Sequence, residues 1–145
     1  MIRLIIILLL AGCGDYRPLI YYETEEIKSI VEKFKLDHQY YTGQALKINN
    51  LNVTIREIDS SEVKGTVLGY CKKEAFKTPK IILNKLYWKN MNEWYKKQLL
   101  YHELGHCILN LKHSHDGLMQ PYIIYWKEYK YYEDYYLNRL FNYGE

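Results

Sequence analysis

Apolar residues early in the chain recur at three- and four-residue spacing, which predicts an amphipathic helix over residues 25–41. Thr24 suits the amino-terminal cap, two glutamates follow in the first turn, and Gly43 ends the helix. His38 lies near that end, and we expect it to be partly exposed and not a metal ligand. The inward positions of this helix are Ile27, Ile30, Val31 and Phe34.

The middle of the chain changes to a spacing of two, which is typical of half-buried strands. A first strand is predicted from residue 51, a second over residues 63–71 and a third over residues 80–84. Two glycines weaken the second strand. The alternating apolar residues of the first strand are Leu51, Val53 and Ile55.

Two more helices are predicted after the strands. Apolar residues surround the first, from Asn92 to about Asn110, so we expect it to be central and buried. The second spans Ile123 to Phe141. Its predicted inward stripe is Tyr125, Tyr129, Tyr132, Tyr136 and Leu140. The fold class is therefore α+β, with a small mixed or antiparallel sheet of three to four strands packed on the helices.

The amino terminus carries a targeting pattern. An unbroken apolar run over residues 4–10 is too short to span a bilayer, which predicts a signal peptide over residues 1–12. The sequence LAGC at residues 10–13 resembles the lipobox of bacterial lipoproteins. That resemblance implies lipidation of Cys13 and anchoring in the bacterial cell envelope, with residues 13–22 as a tether. An ordinary signal peptide that happens to carry a cysteine is the alternative.

Composition limits the remaining possibilities. The 145 residues allow one domain, predicted over residues 23–145. A formal charge of +3 without a Lys/Arg block gives no reason to expect nucleic-acid binding. The 17 tyrosines predict an aromatic-rich core and surface. We expect a monomer.

The candidate chemistry lies in HELGH, residues 102–106. Residues four apart share one helix face, so His102 and His106 can offer two imidazoles to one metal ion. Glu103 projects beside them, where it can hold a water molecule. HExxH alone is a modest signal, but a third histidine and an LMxP sequence follow it here.

Together, HELGH, His113 and LMQP at residues 118–121 resemble the metzincin zinc proteases, most closely the matrixin branch. The resemblance implies one catalytic Zn²⁺ held by His102, His106 and His113, with Met119 in a methionine turn beneath it. It also implies a protein or peptide substrate.

The implied mechanism is peptide-bond hydrolysis by a zinc-activated water with Glu103 as general base. Tyr122 is a candidate to donate a hydrogen bond to the substrate or to line its pocket. Two other classes remain open: an envelope lipoprotein whose zinc is structural, and a zinc hydrolase that acts on another bond, such as a cell-wall amide.

One departure from the family pattern is decisive. His106 and His113 are seven residues apart instead of six. A continuous helix would place them ~10 Å apart along its axis, too far for one ion. For His113 to reach the ion, the chain must break and turn back, and Asn110 offers that break, since asparagine tolerates the left-handed conformation. The alternative third ligands are His115, Glu128 and Glu133.

Cys71 and Cys107 are the cysteines left after Cys13. In an exported protein they predict either one disulfide or two separate buried thiols. Both alternatives stay open at this point.

Overall fold

The fold is described from a computed structural model over residues 19–59, 61 and 65–142. Among these residues, no helix combines the length and the apolar character needed to cross a membrane. The elements in chain order are β1 (Ile20–Tyr22), α1 (Glu25–Thr42), β2 (Leu51–Arg56), β3 (Gly69–Lys72), β4 (Lys80–Asn84), α2 (Lys85–Trp88), α3 (Glu93–Cys107), α4 (Trp126–Tyr131) and α5 (Glu133–Phe141).

The four strands form one mixed sheet in the order β1-β2-β4-β3. The first three of these are parallel to one another, whereas β3 runs antiparallel to β4 at the edge. Ile81, Ile82 and Leu83 are all buried because β4 lies inside the sheet. The predicted α+β class with a small mixed sheet is confirmed.

Helix α1 has the predicted caps. The Oγ1 of Thr24 accepts a hydrogen bond from the amide of Ile27 at 3.2 Å. Gly43 adopts a left-handed φ of 72°, and its amide donates to the carbonyl of Gln39 at 2.9 Å. At the carboxyl end of α1, the buried carboxylate of Asp37 accepts a hydrogen bond from the hydroxyl of Tyr101 at 2.7 Å, which joins α1 to α3.

The core lies between the sheet and the helices. It is built from the predicted inward face of α1, the strands, and most sides of α3. Its fully buried members include Ile27, Val31, Phe34, Leu51, Val53, Ile81, Leu83, Leu100, Tyr101, Leu104, Met119 and Tyr129.

Two of the predicted segments differ in the structure. Residues 20–22, the end of the predicted tether, form strand β1, because they pair with the amino-terminal half of β2. The second predicted strand is shorter, since β3 begins only at Gly69; residues 62–64 lie outside the described part. The predicted signal peptide and Cys13 also lie outside the described residues.

The final helix is in fact two helices. The chain leaves helical geometry at Tyr132, with φ −109° and ψ 24°, so α5 starts in a new register. Tyr129, Tyr136 and Leu140 are buried as predicted. Tyr125 and Tyr132 are about half exposed, so placing them in the inward stripe was wrong. A continuous period of 3.6 cannot hold across this break.

Candidate metal centre

Helix α3 carries the first two histidines. Asn92 caps its amino end through a hydrogen bond from the amide of Tyr95 to Oδ1 at 3.0 Å. Its other sides are packed, which leaves the rings of His102 and His106 as half-buried groups on one face. Their ring centroids are 4.6 Å apart, as the spacing of four residues predicts.

The predicted break after α3 is present. The helix ends at Cys107, and Asn110 has a φ of 59°. The amide of Leu111 then donates to the carbonyl of Gly105 at 3.0 Å, which turns the chain back along the helix. Because the chain reverses here, His113 is brought beside the two helical histidines and not about two turns beyond His106.

The three histidines meet through the same ring nitrogen. The Nε2 atom of His102 lies 3.0 Å from that of His106 and 3.2 Å from that of His113. Within the described part of the chain, these three residues form a group able to hold a metal ion.

Hydrogen bonds at the opposite ring nitrogens set the tautomers of two of these histidines. Nδ1 of His102 lies 2.7 Å from the carbonyl of Leu118, and Nδ1 of His106 lies 2.7 Å from that of Leu111. A carbonyl only accepts, so both Nδ1 atoms carry the proton and both Nε2 atoms present lone pairs.

Two lone pairs facing each other at 3.0 Å repel unless a cation lies between them. Bonds of about 2.0–2.1 Å at tetrahedral angles place two nitrogen ligands about 3.3 Å apart. The observed separations are close to that value, so the three side chains fit a metal ion.

The ionisation of the histidines is consistent with this fit. Burial lowers the pKa of His102 to about 4, against the opposing effect of the hydrogen bond to Leu118. Burial also lowers the pKa of His106, with His113 and Lys73 contributing. Neutral imidazole is the form that binds metal.

Glu103 lines the same groove as the three histidines. It is 4% exposed, and its Oε2 has no hydrogen-bond partner. Burial raises the pKa of this carboxyl to about 8, although a hydrogen bond from the backbone of Cys71 acts in the opposite direction. A buried carboxyl oxygen without a partner is unfavourable, which makes Oε2 a candidate to contact a molecule bound in the groove.

Met119 packs against α3 at Gly105. It is 1% exposed, and a Cβ added to Gly105 would lie 2.5 Å from its Sδ. The glycine inside HELGH therefore lets the methionine approach the helix backbone. The amide of Ser114 donates to the carbonyl of Met119 at 3.0 Å, so the loop that carries His113 is fastened to the methionine segment.

A groove of about 860 Å³ runs past the histidines. Helix α3 forms its floor, β3 with the residues before it forms one wall, and residues 118–124 form the other. Tyr122 lies in the second wall and is 66% exposed, so its hydroxyl is accessible. Gln98 holds this wall in place, because its side-chain amide exchanges two hydrogen bonds of 3.1 Å with the backbone of Ile124.

The structure joins Cys71 and Cys107 in a disulfide, the first of the two alternatives left by the sequence. The bridge fixes the edge strand β3 to the carboxyl end of α3, one residue after His106. Both walls of the groove are therefore attached to the helix that carries the histidines.

The alternative ligands lie outside the three-histidine group. Glu128 accepts a hydrogen bond from the hydroxyl of Tyr136 at 2.7 Å, and Glu133 pairs with Lys97 at 2.6 Å. His115 is exposed. His38 is half buried, and its Nδ1 lies 3.0 Å from the carbonyl of Gln44.

Sequence reasoning missed the groups that contact the histidines. The backbone carbonyls of Leu118 and Leu111 bond to the rings of His102 and His106, and the ammonium of Lys73 contacts the end of α3. Every residue has a backbone carbonyl, so the residue pattern does not show which of them contact a histidine. Gly105 did carry a signal, since it is the glycine of HExGH, but its role required the position of Met119.

Comparisons of this chain with protein-family models, curated proteins and solved structures gave no match. The findings thus establish a small α+β fold with a mixed four-stranded sheet and a three-histidine group able to bind a metal ion.

Proposed function

We propose that this protein is a zinc-dependent endopeptidase of metzincin type. The observation that carries the proposal is the convergence of three Nε2 atoms in an open groove that is also lined by Glu103, whose buried Oε2 has no partner. Three imidazoles are the ligand set of a catalytic zinc site, which leaves a fourth position for water or substrate. When bound there, zinc lowers the pKa of water and polarises a carbonyl group.

The residues of the site have separate roles in this mechanism. His102, His106 and His113 hold the ion, and two of them are oriented by backbone carbonyls. Glu103 accepts the proton of the attacking water and passes it to the leaving amine. Its apolar surroundings support this role, because they keep the basicity of the carboxylate above that of an exposed one.

The groove supports an extended peptide as substrate. Strand β3 lies at the edge of the sheet, and its residues 69–71 line the groove beside the histidines. A peptide that pairs with this edge would bring its backbone past the metal position. Tyr122, on the opposite wall, is placed to contact such a peptide.

Substitution of Glu103 tests the proposal. Glu103→Gln should retain Zn²⁺ and lose peptidase activity by about 10²–10⁴-fold, since it removes the general base. The measurement is cleavage of a fluorescently labelled unfolded protein, with zinc content determined on the same samples.

Glu128→Gln is the matched control, because Glu128 is an exposed carboxylate outside the groove. It should cleave at the wild-type rate. A zinc-loaded Glu103→Gln variant as active as wild type would show that the mechanism is wrong. Wild-type protein that binds zinc but cleaves no peptide would favour a structural zinc site.

Anchoring through Cys13 is part of the same proposal, and it rests on the lipobox-like sequence LAGC. Cells fed labelled palmitate should incorporate the label into the wild-type chain and not into Cys13→Ser. Label that persists in Cys13→Ser would exclude this site of lipidation.

A further inference from the structure

Lys73 follows directly after strand β3 and reaches across to the end of α3. Its Nζ donates hydrogen bonds to the carbonyl of His106 at 3.0 Å and to Oδ1 of Asn110 at 2.6 Å. One side chain therefore contacts a histidine of the metal group and the residue at which the chain reverses.

Both contacts lie where a positive charge interacts favourably with the end of α3. The carbonyl of His106 is in the last turn of α3, where carbonyl groups lack amide partners within the helix. A positive charge there also interacts favourably with the helix dipole. The second contact holds the side chain of the left-handed Asn110.

The reversal at Asn110 determines how two of the histidines are presented. Leu111, the next residue, supplies the carbonyl that accepts from Nδ1 of His106. His113 follows two residues later on the returning chain. A shift of Asn110 would therefore turn the ring of His106 and displace that of His113.

The backbone next to Lys73 is itself held in place. Cys71, two residues before it, is joined to Cys107 of α3 by the disulfide. The neighbouring Lys77 pairs instead with Glu74 on the surface. Lys73 thus differs from this nearby lysine in being directed at the helix end.

We propose that Lys73 is a positioning residue for the metal centre, which holds the reversal at Asn110 so that His106 and His113 converge with His102. This inference rests on the proposed function, since it assumes that the three histidines bind metal.

Lys73→Met keeps the length of the side chain and removes both hydrogen bonds. Lys77→Met is the matched control, and Lys73→Arg restores a charged donor. In the metal-free full chain, hydrogen–deuterium exchange of residues 108–113 should be faster in Lys73→Met than in wild type or Lys77→Met. This readout requires neither metal nor activity.

Zinc affinity, measured by competition with a chelator, should fall about 10-fold in Lys73→Met, the lower end of the range for groups that orient metal ligands, because the lysine is exposed. Lys77→Met should bind as wild type does, and Lys73→Arg should recover most of the affinity. Thermal unfolding of each variant confirms that the fold is retained.

Exchange and zinc affinity within twofold of wild type in Lys73→Met would overturn the inference. An equal loss in Lys77→Met would also overturn it, since the effect would then be one of general charge. If wild-type protein binds no zinc, the proposed function fails, whereas the exchange measurement still decides whether Lys73 holds the reversal.

Discussion

Helices α1 and α3 both end in a left-handed residue shortly after a histidine, yet the two ends are used differently. After α1, Gly43 adopts the left-handed conformation, and His38 bonds to the carbonyl of Gln44 nearby. After α3, Asn110 turns the chain back along the helix, and His106 meets two other histidines. The difference lies in what holds the returning chain.

At the end of α1, the hydrogen bonds from distant residues involve the helix itself, from Tyr101 to Asp37 and between Tyr41 and Asp134, whereas those described for Gln44, just after the turn, are local. The end of α3 is attached to distant parts of the chain by the disulfide to Cys71, by the contacts from Lys73 and by the packing of Met119 on Gly105. A histidine near a helix end and a left-handed residue are thus insufficient for a metal site. Long-range contacts must also hold the chain in register.

Removing the disulfide should have the largest effect on stability. Cys71→Ala with Cys107→Ala releases a bridge between residues 36 apart in sequence, for which chain entropy predicts a loss of about 3–4 kcal/mol. Urea unfolding of the metal-free protein measures it. A loss below about 1 kcal/mol would mean that the disulfide contributes little to holding the end of α3.

Histidine substitutions test the comparison directly. His113→Ala should weaken Zn²⁺ binding at least ~100-fold, or about 2.7 kcal/mol, because it removes one of three ligands. His38→Ala and His115→Ala should leave the affinity unchanged. The measurement is a chelator competition, supported by the zinc-dependent rise in unfolding temperature. Equal losses for His113→Ala and His115→Ala would contradict the assignment of the third ligand.

Gly105→Ala tests the packing under the site. Its Cβ would collide with the buried Met119, so we expect a loss of about 2 kcal/mol in the free energy of unfolding. In an exposed helix the same change would be stabilising by about 1 kcal/mol. Thermal or urea unfolding distinguishes the two.

The double variant Gly105→Ala with Met119→Ala serves as the control for the clash. It should lose less stability than the sum of the single variants, because removing the methionine relieves the collision. Strictly additive losses would argue against this contact.

Substitution of the two left-handed residues should have the smallest effect on stability. Asn110→Ala and Gly43→Ala should each cost about 1 kcal/mol in stability, since alanine is disfavoured at positive φ. Only Asn110→Ala should also weaken zinc binding. Nothing lies within 4 Å of a Cβ added at Gly43, so the loss of stability expected there comes from backbone strain and not from a clash. A zinc affinity that falls equally in both would show that the two helix ends are not distinct.

Much of the fold followed from local patterns. The amphipathic spacing after Thr24 and the alternation from Leu51 predict α1 and β2, because both faces of these elements are distinguished in the sequence. The short strand β1 has no such pattern, and its pairing with β2 joins it to the sheet. The break at Tyr132 is likewise invisible to a continuous helical period.

The sequence alone determined that His102 and His106 share one helix face, and that the chain had to reverse if His113 was to join them. Both conclusions depend on helix geometry, which is a local property. Tertiary structure decided the remainder: which carbonyls orient the rings, how Met119 lies against Gly105, and that Lys73 and the disulfide fasten the reversal. These contacts join residues distant in sequence, and no local pattern encodes which of them meet.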